Sequence, residues 1–203
     1  MKLAQTQFSD NLKRTLFNRK DSGQTTTVFT NDECTWLVVD DVVQTAIFND
    51  KPYRPALPHY FIMLLPLIHD KEPKTILELG AGGLALQRYI QLSHPNVEIT
   101  SVENNNTIIE ATQLCFPKIE NESLIKMDAY EYLSYCYKSQ RSFDWLVIDI
   151  FSGRESNFIE QVESLLPTLV ESVNSSGWLI INTLIEDESL RQEITQQCSL
   201  HFN

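Results

Sequence analysis

The stretch from Thr75 to Gly83, TILELGAGG, constrains the fold of this chain more than any other part of it. An apolar run that ends in Glu-x-Gly-x-Gly-Gly is typical of a buried strand that leads into a tight turn, because glycine adopts positive φ angles and lets the backbone approach a ligand. Residues 84–90, LALQRYI, predict a helix whose first amides face that ligand. We therefore expect Gly80, Gly82 and Gly83 to form a turn that holds a nucleotide or nucleoside.

The turn alone is compatible with two kinds of ligand. Residues 80–85, GAGGLA, also satisfy the dinucleotide pattern G-x-G-x-x-[GA], and Glu103 follows at a plausible distance for a ribose contact in either case. Glu78 distinguishes between the two kinds of ligand, because a carboxylate at the strand tip attracts an aminoalkyl or amino-acid cation and repels the pyrophosphate of a dinucleotide. The sequence thus favours a sulfonium nucleoside over NAD.

From Thr75 onward the chain alternates between apolar strand patterns and helical patterns. Such alternation predicts an α/β fold with a doubly wound, mostly parallel Rossmann-like sheet, and nearly continuous apolar strands agree with burial on both faces. The predicted strands are ILEL, VEITSVE, LIKMD, WLVIDI and WLIINTL. One helix follows the fifth strand, so we expect the C-terminal hairpin of such folds to be missing and a second copy, in a homodimer, to cover the exposed edge.

The N-terminal quarter of the chain has a different character. Residues 1–20 predict a frayed amphipathic helix. Runs of β-branched and aromatic residues then predict three short antiparallel strands, at Thr27–Phe29, Trp36–Val39 and Val42–Phe48, with a turn at Asp40-Asp41. Prolines precede a helix predicted from about residue 59 to residue 69. We expect an N-terminal extension with a small β region in residues 1–55, and the nucleoside-binding domain in residues 56–203.

The charge and composition of the chain limit the kinds of binding partner that we expect. The formal net charge of -11 and the pI near 4.8 argue against a nucleic-acid partner, because phosphate binding requires a basic face. A small cationic substrate fits better. The four cysteines and four histidines are scattered without metal-ligand spacing, so we expect no metal and a reduced, cytoplasmic protein. The most apolar run, residues 61–68, is too short for a bilayer and contains proline, so we expect no membrane anchor.

Carboxylates follow the first four predicted strands: Glu78, Glu103, Asp128 and Asp149. Ligands of doubly wound sheets bind at the carboxyl ends of the strands, so these side chains predict the site. Glu103 can hold both ribose hydroxyls. Asp128 can accept a hydrogen bond from the adenine amino group while the following amides, from Ala129 onward, bind ring nitrogens. For Glu103 and Asp128 a structural alternative is open, because acidic residues also cap helix N-termini.

Four short motifs resemble the class I S-adenosylmethionine-dependent methyltransferase fold: Gly80 to Gly83, Val102-Glu103, Met127-Asp128-Ala129 and Phe143-Asp144-x-x-x-x-Asp149. Within that fold, residues 41–45, DVVQT, followed by a histidine-bearing helix and the glycine turn, resemble the spermidine synthase family of polyamine aminopropyltransferases. The resemblance covers about residues 36–183. It implies a transferase that uses S-adenosylmethionine or its decarboxylated form as cofactor and a small-molecule acceptor, with a polyamine as the candidate.

The resemblance also implies roles for individual residues. Gln44 and His59 would face the thioether or nucleoside side of the cofactor. Asp149 would steer the acceptor amine and help to deprotonate it, so that a neutral nitrogen attacks a sulfonium-bound carbon in line. Holding the two reactants in attack geometry would supply most of the catalysis.

Two departures from the family pattern leave other functions open. The family's Asp-Ser-Ser-Asp-Pro run is here residues 149–153, DIFSG, which lacks the second aspartate, and its Tyr-His-Glu is here Pro58-His59-Tyr60. Besides aminopropyl transfer, the alternatives are an S-adenosylmethionine-dependent methyltransferase and a catalytically inactive cofactor-binding paralogue. A dinucleotide oxidoreductase is a more distant alternative.

Overall fold

The structure is a computed structural model that describes residues 13–69, 72–150, 158–182 and 188–201. Its strands are β1 (Arg14–Asp21), β2 (Gln24–Thr30), β3 (Cys34–Val39), β4 (Val42–Phe48), β5 (Thr75–Leu79), β6 (Glu98–Glu103), β7 (Leu124–Lys126), β8 (Phe143–Ile148) and β9 (Val173–Ile181). Its helices are α1 (Pro58–Met63), α2 (Pro66–His69), α3 (Ala85–Ser93), α4 (Asn106–Cys115), α5 (Ala129–Lys138), α6 (Phe158–Glu171) and α7 (Glu188–Ser199).

The C-terminal part of the chain forms a parallel sheet with the strand order β7-β6-β5-β8-β9. This confirms the predicted doubly wound α/β fold and its five strands. The sheet grows from β5 to β6 on one side and from β5 to β8 on the other, so the topological switch point lies between β5 and β8. The carboxyl ends of these two strands therefore border the crevice in which ligands of such sheets bind.

Hydrophobic clusters cover both faces of this sheet. On one face Leu77 and Leu146 belong to the cluster that includes residues of α5 and α6. On the other face Ile76 and Trp145 belong to the cluster that includes residues of α1 and α3. Because successive residues of a strand point to opposite faces, a continuously apolar strand supplies both cores. This two-sided burial holds the strand ends in fixed positions relative to one another.

Residues 14–48 form a second sheet, antiparallel throughout, with the order β1-β2-β3-β4. The three predicted N-terminal strands are present as β2, β3 and β4. Asp40 and Asp41 form the predicted turn between β3 and β4, with φ angles of 46° and 68°. Asp residues tolerate this left-handed conformation better than most, which is why a turn without glycine forms here.

The helix predicted for residues 1–20 is wrong for residues 14–20, which belong to strand β1 (Arg14–Asp21). Residues 1–12, where the rest of that prediction falls, lie outside the described part of the chain. The cause of the error is the turn at residues 22 and 23, both of which have positive φ. This two-residue hairpin pairs β1 with β2 along its length, and the ladder outweighs a helical spacing of a few apolar residues.

The helix predicted for residues 59–69 is interrupted. Helix α1 ends at Met63 and helix α2 begins at Pro66. Proline has no backbone N–H and its ring collides with the preceding turn of a helix, which favours the interruption at this position.

The N-terminal sheet shares its core with the parallel domain. Trp36 and Ala46, from β3 and β4, lie in the same cluster as residues of α1 and α3. Val28 and Leu37 lie in a third cluster with Ile108 of α4. The division between residues 1–55 and residues 56–203 stays a prediction, and the shared clusters fix β4 against the start of α3. Of the described helices, none is long and apolar enough to cross a membrane.

Candidate active site

Three of the predicted carboxylates come together at the carboxyl ends of neighbouring strands. Glu78 is the penultimate residue of β5, Glu103 is the last residue of β6, and Asp149 follows β8 directly. Glu78 lies close enough to Asp149 and Glu103 for their charges to raise its pKa. Asp128 follows β7, one strand further out. Across the described ranges, no group of three or more His, Cys, Asp and Glu side chains has the geometry to hold a metal ion.

Glu78 is the most deeply buried of these acids, with 1% of its surface exposed. Ser101 Oγ on β6 donates a 2.5 Å hydrogen bond to Glu78 Oε2. Burial raises the pKa of Glu78 to about 8, with Asp149 and Glu103 adding to the rise and the Ser101 hydrogen bond opposing it. Near pH 7 this raised pKa keeps Glu78 mostly protonated, and a cation bound beside it would favour its ionisation.

Asp149 is partly exposed, but protein surrounds its carboxyl group. Asn182, directly after β9, donates from Nδ2 to Asp149 Oδ1 over 2.7 Å. Desolvation raises the pKa of Asp149 to about 7, against the lowering effect of Asn182 and with a further rise from Glu103. A carboxyl with a pKa near neutrality can accept a proton and release it again, as a general base requires.

Tyr60 of α1 and Thr45 of β4 complete this side of the site, and sequence reasoning assigned neither of them. Tyr60 is 2% exposed, and its side chain hydrogen-bonds to Thr45. The pKa of Tyr60 is raised by burial and then by the charges of Asp149 and Glu78, which places the phenol close to both acids. Thr45 Oγ1 also accepts a 2.9 Å hydrogen bond from the backbone N–H of Gly83.

The glycine turn has no backbone N–H left for a phosphate. The amides of Gly80 and Ala81 both donate to the Val102 carbonyl, at 2.9 and 3.0 Å. Those of Gly82 and Gly83 donate to Glu103 Oε2, at 3.1 Å, and to Thr45, and that of Leu84 donates to the Ala81 carbonyl. A pyrophosphate at this turn would meet occupied donors and nearby carboxyls, so the turn suits an uncharged or cationic group.

Gly80 is required here by both conformation and space. Its φ angle is +93°, and a Cβ at this position would lie 2.3 Å from the carbonyl oxygen of Asp149. Gly82 also has a positive φ, of +49°, and a Cβ on Gly83 would lie 2.7 Å from the Thr45 side chain. The turn therefore brings the backbone of β5 against β8 on one side and against β4 on the other.

Glu103 is held in a single orientation by the backbone. Its Oε2 accepts from the Gly82 amide and its Oε1 accepts from the Asn105 amide at 2.9 Å. The N-cap of α4 is Asn105, so the alternative that Glu103 caps this helix is wrong. Each carboxylate oxygen can accept a second hydrogen bond, which leaves acceptor capacity on Glu103 for a pair of hydroxyls.

Asp128 caps helix α5, as the structural alternative predicted. Its Oδ1 accepts from the amides of Tyr130 and Glu131, at 2.9 and 3.2 Å. The cap uses one oxygen, so it is compatible with a second contact through Oδ2. Ala129, the first residue of the helix, is buried with 8% of its surface exposed. The predicted adenine contacts of these two residues stay predictions.

The two residues assigned by resemblance near β4 and α1 differ in their surroundings. Gln44 is exposed and is the extra residue of a β-bulge, because Thr45 pairs with Leu37 and Val43 pairs with Val38. Bulges redirect a side chain away from the regular alternation of a strand. His59 is half-buried, with its ring centroid 4.3 Å from that of Tyr60, and burial lowers its pKa to about 4. His59 is therefore neutral at physiological pH.

Three further polar residues support the carboxyls and were missed: Gln87, Ser101 and Asn182. Gln87 and Ser101 are fully buried on α3 and β6. Their signal in the sequence is a polar side chain inside an otherwise apolar element that is buried on both faces, because such a group requires a partner. Asn182 could have been found by the rule that located the acids, since it follows the fifth strand directly.

Comparison with known proteins identifies relatives that are similar to this chain in sequence. No protein-family model matches the chain. It is similar to the polyamine aminopropyltransferase of Desulforudis audaxviator, with 25% identity over 117 residues, or 56% of this chain and 40% of the relative. It is also similar to that of Vibrio vulnificus, with 23% identity over 70% of this chain and 48% of the relative. The matched region thus spans less than half the length of these curated relatives.

Solved structures extend the similarity to most of the chain. A probable spermidine synthase from Corynebacterium glutamicum superimposes with a TM-score of 0.75 and 13% identity over 92% of this chain and 70% of that one. This chain has a class I methyltransferase fold of the spermidine-synthase-like form. A spermidine synthase in complex with the transition-state analogue AdoDATO matches with a TM-score of 0.69 and 18% identity over 93% of this chain and 65% of that one. Human methyltransferase-like protein 13 in complex with SAH matches with a TM-score of 0.63 and 18% identity over 71% of this chain and 73% of that one.

The spermidine-synthase-like fold explains why Asp149 and Asn182 meet. They follow adjacent parallel strands, so both side chains emerge at the same edge of the sheet. The departure from the family pattern after Asp149 begins at Ile150, and residues 151–157 lie outside the described part of the chain.

Proposed function

We propose that this chain transfers an aminopropyl group from decarboxylated S-adenosylmethionine to an amine. The observation that carries the proposal is the pair of carboxyls with raised pKa values, Glu78 and Asp149, at the switch point of the sheet. If cations bind beside these two carboxyls, the carboxyls would ionise and balance the positive charge. Decarboxylated S-adenosylmethionine carries a sulfonium and an ammonium group and no carboxylate. The similarity to polyamine aminopropyltransferases and to a spermidine synthase bound to AdoDATO supports the same assignment.

In this proposal Asp149 is the catalytic base. The amine nitrogen attacks the aminopropyl carbon attached to sulfur, a C–N bond forms, the C–S bond breaks, and the electron pair of that bond leaves with methylthioadenosine. Asp149 accepts the proton that the acceptor ammonium gives up before attack. Its raised pKa suits this role, because a base with a pKa near the working pH can take up a proton and return it to water.

The remaining predicted residues would hold the nucleoside. Glu103 would accept both ribose hydroxyls through the oxygen lone pairs that the amides of Gly82 and Asn105 leave unused. Asp128 and Ala129 would bind the adenine edge. The glycine turn would lie against the nucleoside, and Gln44 and His59 would face its thioether side. The neutral state of His59 suits a position beside a sulfonium, because an imidazolium there would repel it.

Methyl transfer from S-adenosylmethionine is the second candidate. The observation that favours it is the sequence after Asp149, Ile150-Phe151-Ser152-Gly153, which lacks the second aspartate of the spermidine synthase pattern. The similarity to a human methyltransferase-like protein solved with SAH agrees with it. This candidate requires the carboxylate of S-adenosylmethionine to be accommodated near Glu78, which the first candidate does not.

A thermal-shift titration with four ligands separates the candidates. The ligands are decarboxylated S-adenosylmethionine, S-adenosylmethionine, methylthioadenosine and NAD, and a ligand at 100 times its dissociation constant stabilises a protein by about 2.7 kcal/mol. We expect the decarboxylated form and methylthioadenosine to shift the melting temperature most, and NAD to leave it unchanged. A preference for S-adenosylmethionine would favour methyl transfer, and no shift with any ligand would favour an inactive paralogue.

Incubation with decarboxylated S-adenosylmethionine and a panel of diamines then tests turnover. Mass spectrometry should detect methylthioadenosine and the aminopropylated amine in equal amounts. Methylthioadenosine without aminopropylated product would indicate hydrolysis and would contradict the proposal.

We also propose that the chain forms a homodimer. Strand β9 lies at one edge of the described sheet, and an apolar edge strand favours association with a second copy. Light scattering over a range of concentrations should give the mass of two chains. A monomer mass at every concentration would exclude the dimer.

A further inference from the structure

A chain of buried polar side chains lies behind Glu78. Gln87 of α3 donates from Nε2 to Ser101 Oγ over 2.8 Å, and Ser101 Oγ donates to Glu78 Oε2 over 2.5 Å. All three residues are at most 1% exposed. Among the residues that the structure describes, no second hydrogen-bond donor reaches the Glu78 carboxyl.

The direction of these hydrogen bonds is fixed by the backbone of Ser123. The Ser123 N–H donates to Gln87 Oε1 over 3.2 Å, and Gln87 Nε2 donates to the Ser123 carbonyl over 3.0 Å. A backbone amide can only donate, so the Gln87 nitrogen must be the atom that faces Ser101. The Ser101 hydroxyl accepts from that nitrogen, and its single hydrogen is left for Glu78.

We propose that Gln87 and Ser101 are positioning residues for Glu78. They hold Glu78 Oε2 as a permanent hydrogen-bond acceptor, which leaves Oε1 as the oxygen that receives either a proton or the cationic tail of the sulfonium substrate. This inference rests on the proposed function, because that function supplies the cationic tail. A hydrogen bond donated to a carboxylate favours its charged form. The hydrogen bonds from Gln87 to Ser101 and from Ser101 to Glu78, here called the relay, therefore keep Glu78 able to ionise although its burial favours the neutral carboxyl. The other titratable groups that face Glu78 are Asp149 after β8, Glu103 on β6 and Tyr60 on α1.

The test compares Ser101→Ala with Ser172→Ala. Ser172 is a second fully buried serine, and its hydroxyl has no hydrogen-bond partner in the described part of the chain, so it controls for the loss of a buried oxygen. The dissociation constants of decarboxylated S-adenosylmethionine and of uncharged methylthioadenosine are measured from pH 6 to pH 9. We expect Ser101→Ala to weaken binding of the charged ligand about tenfold at pH 7, which is one pKa unit, and to move the midpoint of its pH dependence upward.

Binding of methylthioadenosine should change less than twofold, and Ser172→Ala should bind both ligands as the parent does. Equal loss of both ligands in Ser101→Ala would show a merely structural role and would overturn the inference. An unchanged pH midpoint would also overturn it. Should Ser101→Ala fail to fold, Ser101→Cys retains a weak donor and should give the same shift with a smaller amplitude.

Failure of the proposed function is distinguished by a measurement without ligand. Carboxyl-carbon NMR of the free protein gives the titration midpoint of Glu78 directly, with Glu78→Gln as the assignment control. An upward shift in Ser101→Ala together with no binding of any sulfonium would retain the relay and reject the substrate. No shift would reject the relay whatever the protein binds.

Discussion

Asn182 Nδ2 lies 2.7 Å from Asp149 Oδ1, so the residue after β9 holds the carboxyl that follows β8. A similar pair lies at the other end of the same two strands, where Asn174 Nδ2 donates to Asp144 Oδ1 over 2.7 Å. The two pairs differ in surroundings. Burial and Glu103 raise the pKa of Asp149 to about 7, whereas hydrogen bonds from Asn174 and two backbone amides hold the pKa of Asp144 below its usual value despite partial burial. The second pair therefore provides a matched control for the first.

Replacing Asn182 by Ala should move the acid limb of the pH–rate profile to higher pH. The amide stabilises the charged form of Asp149, so its loss raises the pKa of a base that must be deprotonated to act. We expect turnover to fall several-fold at pH 7 and to recover towards the parent rate at pH 9. Asn174→Ala should leave the profile in place, and a profile unchanged in Asn182→Ala would contradict this role.

Asp149→Asn should abolish aminopropyl transfer while leaving nucleoside binding intact. Asparagine has nearly the same shape and cannot accept the proton, and loss of a general base costs on the order of 10² to 10⁴ in rate. Turnover is followed by methylthioadenosine release, and binding by calorimetry with methylthioadenosine. Asp144→Asn should keep its activity, and retained turnover in Asp149→Asn would refute the base assignment.

Gly80→Ala should destabilise the protein far more than Gly23→Ala. The two glycines have nearly the same φ, +93° and +90°, so the conformational cost of alanine, about 1 to 2 kcal/mol, is common to both. A Cβ at Gly23 meets nothing within 4 Å, whereas at Gly80 it would lie 2.3 Å from the Asp149 carbonyl oxygen. We expect the free energy of unfolding, measured with urea, to fall by about 2 kcal/mol more for Gly80→Ala. Equal losses would mean that the β5 turn moves freely away from β8.

Glu78→Gln should flatten the pH dependence of stability between pH 6.5 and pH 8. The pKa of Glu78 is 4.5 in the unfolded reference and about 8 in the folded protein. The stability that comes with this raised pKa is fully present below pH 4.5 and is lost as the pH rises through 8, on the order of 1 kcal/mol per pH unit. His59, whose pKa is lowered from 6.5 to about 4, acts in the opposite sense only below pH 6.5.

Urea unfolding of the parent and Glu78→Gln in that pH window measures the effect. We expect the parent to lose stability on the order of 1 to 2 kcal/mol more than the variant between pH 6.5 and pH 8. Parallel curves would show that Glu78 is already ionised in the folded protein at pH 6.5. Ligand-free protein is required, because a bound cation would lower the pKa of Glu78.

Most of the fold could be predicted from local patterns in the sequence. The errors in that prediction also have local causes. Continuous apolar runs and the glycine turn predicted β5, α3 and the parallel sheet, because two-sided burial leaves a direct mark on composition. Strand β1 was mistaken for a helix because its partner, β2, is brought alongside by a two-residue turn. Helix spacing predicted one helix where Pro66 separates α1 from α2.

The candidate site could be predicted in part. Glu78, Glu103 and Asp149 were found because carboxyl ends of parallel strands meet at one edge of a sheet. Tyr60 and Thr45 could not be found that way, since they reach the site from α1 and from the other sheet.

By itself, then, the sequence determined the order of strands and helices from β5 onward, the glycine turn and the acids at the strand ends, because these depend on residues close together in the chain. Only the tertiary structure decided that Thr45 and Glu103 occupy the amides of the turn, that Asn182 holds Asp149, and that Gln87 and Ser101 support Glu78. These choices depend on burial, which changes the pKa of a carboxyl and makes a hydrogen-bond partner obligatory. Burial is a property of the packed molecule, and it is set by residues that are distant in sequence.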